Sequence, residues 1–406
     1  MTETMSATAM PPSLAYTGSD WFDPLEEAVR LQVRSFIEEL LEEELEAALG
    51  RGRYERHGMA SGHRHGRRPR QLVTTFGPLE LSVPRARLRD ADAGREWKSQ
   101  FLPAYKRLSH RAEALIAQAY LAGMNTRRVR RALAGLFAGR VGKDVVSRAW
   151  QRSRSAWESW QQRDLAGEDI VRLILDGTVV KVRLDKKATA VSLLIALGIR
   201  GDGQKVMLAI KNMGGESEAA WRQVLDDLAT RGMAKPELVI VDGGKGLEAA
   251  LASLWDDVPV QRCTVHKERN LLAHAPKHLH EEVKADFHDM VHAKGEAEVL
   301  AKRKAFLAEW RLRCRALAES LDEAGERLFT FLRYPPEQWR SLRTTNAIER
   351  LHEEFKRRVK TQCVLPCAET AAMLFWALLA SGQITLRKVD GWQSLAQAPG
   401  ELDLAA

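Results

Sequence analysis

Four cysteines in 406 residues, Cys263, Cys314, Cys363 and Cys367, are too few and too scattered for a disulfide framework. None forms a Cys-x-x-Cys pair, so a reducing compartment, the cytoplasm, is expected. No apolar run is long enough to cross a bilayer. The longest, "AAMLFWALLA" at 371–380, reads as a buried helix. The first twenty residues, "MTETMSATAMPPSLAYTGSD", lack a basic stretch followed by an apolar one, so no signal peptide is expected. "DGGKG" (242–246) sets a lysine after glycines without the spacing of a phosphate-binding P-loop, which excludes nucleotide hydrolysis by that device. His288 and His292 sit at i and i+4 in "HDMVH" without the accompanying acid of a metalloprotease, and read as a surface or core pair.

Net acidity is also missing: the formal charge is +8. That balance favours a polyanionic partner. The charge is concentrated. Residues 51–70, "RGRYERHGMASGHRHGRRPR", hold seven arginines against one glutamate, with Tyr54 and three histidines between them. A solvated basic loop would read this way. Phosphate contact is favoured, because the guanidinium fork matches phosphate oxygens, and Arg64, Arg67, Arg68 and Arg70 are the candidates. "LVTTFGPLELSVPRAR" (72–87) predicts two short strands around Phe76-Gly77-Pro78. Residues 22–49 have helical spacing with acidic faces, a candidate helical arm or dimer contact. Residues 109–155 predict helices with Gly-marked breaks. They are rich in arginine (Arg127, Arg128, Arg148), and Val145 to Arg154 is the candidate recognition helix of a helix-turn-helix. A plain helical bundle is the other reading.

From 171 the period changes. "VRLILD" is an apolar run ending in Asp176; "AVSLLIALGI" and "KVMLAIK" come next, around the turn "RGDGQ". A helix is predicted from about Glu216 to Arg231. "ELVIVDGG" is a second buried strand ending in Asp242. Two strand-ending aspartates on parallel neighbours would reach one edge of a sheet. Their repulsion is relieved by a divalent cation with oxygen ligands, which suits Mg²⁺. Residues 275–335 are helical in pattern. In "RTTNAIERLHEEFKRRVK", Thr345 or Asn346 caps a helix that carries Glu349 in its first turn and Glu353 one turn on. Lys356, Arg357, Arg358 and Lys360 come after them, spaced to flank a nucleic-acid strand. Cys263 and His266 have the spacing of half a zinc site, but no second half is present. From the spacing alone they read as packing and hydrogen-bonding groups. Lys267, Arg269 and Asn270 on the same predicted helix are further candidate backbone contacts. Trp255, Trp310 and Trp339 read as core.

The pattern "LDGTVVKVR … VDGGKGLEAAL … QRCTVHKERNLL … RTTNAIERLHEEFKRRVK" resembles the Mutator-type transposases of bacterial insertion sequences. The resemblance covers about residues 25–385, including "GRYERHG … GHRHGRRPRQLVTTFGPLELSVPRAR". It implies an α/β, RNase H-like catalytic core, interrupted by an all-helical insertion and preceded by a mostly helical DNA-binding region. The implied layout is a disordered tail at 1–20, then a helical arm, basic segment and β-hairpin at 21–105. A helix-turn-helix-like region would occupy 106–165. The core would run over 166–273 and 341–390 around the insertion at 274–340, and a tail would close the chain at 391–406. The family's catalytic acids map onto Asp176, Asp242 and Glu349, as ligands of two Mg²⁺ ions for which Mn²⁺ can substitute. Its Cys-x-x-His signature maps onto Cys263 and His266, for which the resemblance implies a contact with DNA near the active site. Where the family usually has asparagine, this chain has His352. The resemblance implies cleavage and joining of DNA at element ends by in-line phosphoryl transfer, in a homo-oligomer, in a bacterial cytoplasm at the nucleoid. The rival readings are a domesticated DNA-binding relative that no longer cuts, and a structure-specific nuclease or resolvase on the same core.

Overall fold

The computed structural model describes residues 24–55, 61–89, 95–121, 124, 126–184, 187–360 and 367–401. The expected disordered tail, residues 1–20, lies outside the described residues, as do Cys363, residues 56–60 of the basic stretch and the end of the 391–406 tail. The chain divides into two compact units, residues 1–153 and 154–406.

In the first unit, α1 (Pro24–Leu49) buries Leu41, Leu45 and Leu49 at four-residue spacing, the stripe of an amphipathic helix. The hydrophobic cluster it joins includes Leu72, Leu79, Leu81 and Val83 of the hairpin β1 (Gly62–Thr74) and β2 (Gly77–Leu88). A two-residue strand, β3 (Arg95–Glu96), pairs with β2. The hairpin turns at the expected place but is longer than predicted: β1 reaches back to Gly62, so residues 62–70 of the basic stretch are strand rather than loop. Arginine is accepted there because α1 lies alongside. Arg64 bonds Glu42 and Glu46, and Arg67 bonds Glu42 at 2.7 Å. Three helices come next: α2 (His110–Leu121), α3 (Thr126–Ala132) and α4 (Lys143–Gln161). Ala112, Ile116, Val129, Phe137 and Val146 form their common core. Residues 133–142 separate α3 from α4, a longer connection than the roughly three- to four-residue turn of a helix-turn-helix. The division between the units falls within α4.

The second unit is built on a five-stranded sheet of β4 (Ile170–Leu184), β5 (Lys187–Arg200), β6 (Lys205–Met213), β7 (Leu238–Val241) and β8 (Val260–Arg262). Its order is β6-β5-β4-β7-β8. The first three strands are antiparallel; β7 runs parallel to β4, and β8 parallel to β7. The unit is therefore mixed α/β. β4 does not stop at Asp176 as expected. "TVVKVRL" continues the strand, because its β-branched, alternating residues pair with β5 as far as Leu184↔Lys187. The turn at "RGDGQ" and the helix α5 (Glu218–Thr230), capped by the Ser217 hydroxyl, lie where the sequence puts them.

Alternation along β4 and β7 sorts the two faces. Leu173, Leu175, Val239 and Val241 pack against Trp221, Val224 and Leu228 of α5 and Leu247 and Leu251 of α6 (Lys245–Leu254). The alternate residues Arg172, Ile174, Asp176 and Ile240 belong to the opposite face. There, buried Arg172 bonds Gln338 of α11 (Pro336–Leu342). α12 (Asn346–Val359) and α13 (Glu369–Ala380, the "AAMLFWALLA" run, as expected buried) complete that side, with Phe355 stacked on Phe375 at 4.6 Å. Between α7 (Thr264–His274) and α11 the chain is helical, as the pattern predicts: α8 (His280–Val291), α9 (Glu296–Arg313) and α10 (Arg315–Ala324). Trp255, Trp310 and Trp339 are all core. No described helix is long and apolar enough to cross a membrane.

Candidate active site

Asp176 and Asp242 reach one place by different routes. β4 and β7 are in parallel register through Leu175↔Val241; Asp176 is the next residue of β4, and Asp242 is the first residue past the end of β7. They share the parity of Ile174 and Ile240, and hence a face. Asp176 is 5% exposed. Its carboxyl is pushed up to about 7, first by burial, then by the charge of Asp242, with Glu349 and Glu216 adding to it and His266 opposing. Asp242 begins a tight turn in which its Oδ1 accepts the Gly244 N–H at 2.9 Å. Gly243 sits at φ +94° there, a conformation L side chains rarely adopt.

Glu349 stands in the first turn of α12, as its cap predicts. Thr345 is the capping residue by position, yet its hydroxyl caps nothing. It lies 3.4 Å from the Cys263 sulfur and 3.5 Å from His266 Nδ1. Cys263 is itself the residue before α7, and its sulfur also accepts the Thr345 N–H. The Cys-x-x-His pair therefore joins the starts of α7 and α12. His266 Nε2 then meets Glu349 Oε1 at 3.4 Å, and Arg269 reaches the same oxygen at 3.4 Å. The interaction with the Cys263 sulfur raises His266 to about 9 against the effect of burial, with the charges of Cys263 and Glu349 adding to it. For Cys263, burial alone would raise the thiol; the bonds from His266 and Thr345 outweigh it and lower it.

His352, one turn on, is buried with Nδ1 3.4 Å from Asp176 Oδ2. Burial, then the charge of Lys356, lowers it to about 3. The ring is neutral at ordinary pH and meets Asp176 as a dipole rather than as a cation. Its Nε2 is buried without a hydrogen-bond partner.

Glu216, which the sequence reading missed, is a fourth carboxylate at this place. Burial, then Asp242, raises it. A Cβ on Gly177 would come within 2.2 Å of its Oε1, so the glycine of "LDG" makes room for Glu216. The available signal was the position of Glu216, at the mouth of α5 beside the strand edge. Among the described residues, no three His, Cys, Asp or Glu side chains converge closely enough to hold a metal ion as they stand. The donor chemistry nevertheless fits a hard divalent cation: all-oxygen ligands whose mutual repulsion, visible in Asp176, a cation would relieve.

The candidate nucleic-acid residues separate into two sets. Arg64, Arg67 and Arg70 are engaged internally; Arg70 donates to the carbonyls of Leu102, Pro103 and Lys106. Lys267 is buried and bonds Ser320 and Glu323, which removes it from a strand's reach. Arg358 is half-buried. Arg68, Arg127, Arg128, Arg148, Arg269, Asn270, Lys356, Arg357 and Lys360 are exposed, with Arg357 paired to Glu354. Glu353 is exposed. The rings of His288 and His292 stack on each other at 3.8 Å.

Residues 12–385 match the family described as Transposase, Mutator family. The chain belongs to that family. It is 31% identical over 352 residues to the transposase for insertion sequence element ISRM5 of Rhizobium meliloti, covering 87% of each chain. It is 30% identical over 346 residues to the transposase for insertion sequence element IS905 of Lactococcus lactis, covering 85% of this chain and 86% of the relative. A Mycobacterium tuberculosis relative, the transposase for insertion sequence element IS1081, is also 30% identical over 346 residues, covering 85% and 82%.

Proposed function

We propose that this Mutator-family chain is a DNA transposase of the DDE type, which cleaves the ends of an insertion sequence and joins them to target DNA. The observation that carries the reading is the juxtaposition of Asp176 and Asp242 on adjacent parallel strands, with the charge of Glu349 reaching Asp176 from α12. The sheet order β6-β5-β4-β7-β8, with the first aspartate on its central strand, supports an RNase H-like core. The helices α8 to α10 then form the insertion between the second aspartate and Glu349.

In this reading Asp176, Asp242 and Glu349 hold Mg²⁺, two ions, with Mn²⁺ as substitute. Bound there, the ions supply activation of the attacking oxygen and neutralisation of the leaving one. The protein residues orient the three ligands. The Asx turn fixes Asp242, buried His352 sets one oxygen of Asp176, and His266 and Arg269 hold Oε1 of Glu349. Water attacks first and releases a 3′-hydroxyl at the element end. That hydroxyl then attacks a target phosphodiester, in line and without a covalent enzyme intermediate. Exposed Arg269, Asn270, Lys356, Arg357 and Lys360 contact the strand in the second unit. Arg68, Arg127, Arg128 and Arg148 contact DNA in the first, with α4 as the recognition helix. Two ends must be held together, which calls for a homo-oligomer.

The test is strand transfer: labelled end duplex, supercoiled target and Mg²⁺, with wild type beside Glu349→Gln. Joined product from wild type alone supports the reading. End binding without nicking or joining in either protein, with Mn²⁺ also tried, refutes it in favour of a silent DNA-binding relative.

A further inference from the structure

A groove of about 620 Å³ opens in the first unit, lined by Tyr105, Lys106, Arg107, His110, Arg148 and Arg152. Five of these six carry or can carry positive charge. Glu113 lies in the same groove and bonds Arg152 at 2.5 Å, and apolar Ala104, Leu108 and Val145 complete the lining, so its charge is mostly basic. Over this groove stands an aromatic ring in an unusual position. Tyr105 is 92% exposed, and Phe101, four residues before it, is 65% exposed. Tyr105 has φ +70°. The Lys106 N–H bonds the Pro103 carbonyl at 3.2 Å, so Tyr105 occupies the third position of a tight turn, where a positive φ favours glycine.

The segment is held rather than loose. Glu44 bonds the Ser99 hydroxyl and the Gln100 N–H, each at 2.5 Å. Arg70 grips three carbonyls of the loop. Val73 exchanges backbone bonds with Arg107 and Ser109 on the far side. A large ring on a strained, anchored turn, wholly in water, gains nothing from its own fold; such strain accumulates where a ligand is clamped.

We propose that Tyr105 is a stacking platform for an unpaired DNA base. Arg107 and Arg148 take the flanking phosphates. Every base has a π face, so stacking of this kind tolerates any sequence, and the guanidinium groups supply the salt-dependent part of binding. The inference rests on the proposed DNA substrate and adds a site that the carboxylate chemistry does not require.

The experiment uses the full chain and a mixed-sequence single strand carrying 2-aminopurine, whose fluorescence falls when the base stacks on a ring. The same strand as a duplex is the control. Wild type and Tyr105→Phe quench the single strand. Tyr105→Ala and Tyr105→Gly do not, and they bind it about tenfold more weakly while duplex binding persists. Glycine suits the turn, so Tyr105→Gly should melt no lower than wild type, which separates loss of the ring from loss of the fold. Arg148→Ala lowers the slope of log affinity against log salt by about one. Wild type that binds without quenching at any probe position overturns the proposal, as does Tyr105→Gly that quenches like wild type. Strand joining is scored separately: joining without quenching sinks this inference alone, and quenching without joining sinks the DDE reading alone.

Discussion

Arg262 offers the sharpest test of what holds the candidate site in place. It ends β8, immediately before Cys263, and its guanidinium bonds Glu248 of α6 and Glu323 of α10. The Arg262 and Glu248 side chains are 11% and 14% exposed; Glu323 is 60% exposed and contributes little through solvent. Arg262→Met therefore leaves Glu248 in a nearly dry site, with Arg327 at 3.5 Å as its remaining partner. Removing one member of a buried pair costs about 3–5 kcal/mol, and Arg327 offsets a part, so a loss of about 3 kcal/mol is expected. For a unit of this size that is roughly 6–12 °C in melting temperature. Arg262→Met with Glu248→Leu removes both charges and should recover most of the loss, because an apolar pair of similar volume is close to neutral there. Urea unfolding of wild type, both single variants and the double closes the cycle. A single-variant loss below about 1 kcal/mol, or a double variant no better than the single, would refute the claim that this pair is buried and coupled.

The same geometry sets three further outcomes. Gly177→Ala drives a methyl into Glu216 and should cost about 2 kcal/mol, most of it recovered when Glu216→Ala is added; no recovery in chemical denaturation would remove Glu216 from beside Gly177. His352→Asn keeps a neutral donor toward Asp176 while leaving space against Phe375. It should lose about 1 kcal/mol and retain strand joining within about tenfold, and a loss beyond roughly a hundredfold would show that the two donors are not interchangeable. Asp176 has a folded pKa raised from 3.8 to about 7, so the stability it contributes below pH 4 is lost as pH rises toward 7. Asp176→Asn should then stabilise the protein in EDTA more at pH 8 than at pH 5, by about 2.5 kcal/mol, the roughly two pH units between 5 and 7 at 1.36 kcal/mol per unit, and equal effects at the two pH values would contradict the burial argument.

What was legible in the sequence depended on whether local chemistry decided it. "LVIVDGG" reads as a buried strand that must stop, because Gly243 and Gly244 give the chain nowhere to continue the ladder, and β7 does stop at Val241. "LILDGTVV" looks alike up to its glycine, but Thr178, Val179 and Val180 are β-branched and find partners in β5. Asp176 is therefore mid-strand. The expected juxtaposition survives this difference because it depends on register, not on strand ends: Leu175↔Val241 sets the aspartates level wherever β4 terminates. The cap at Thr345 was readable and its use was not, since the hydroxyl turns to Cys263 and His266 across 79 and more residues of chain. Charge was the least legible. Arg64, Arg67 and Arg70 of β1 and Lys267 of α7 read by composition as candidate phosphate contacts, and in the fold they meet carboxylates and carbonyls, because what a cation faces is set by what packs beside it. Glu42, Glu46 and Glu323 are remote in sequence from the cations they hold. The tryptophans were legible: Trp255, Trp310 and Trp339 read as core and are core. The ring most exposed to solvent among the described residues, Tyr105, stands out only once the backbone shows it where a glycine would be at ease.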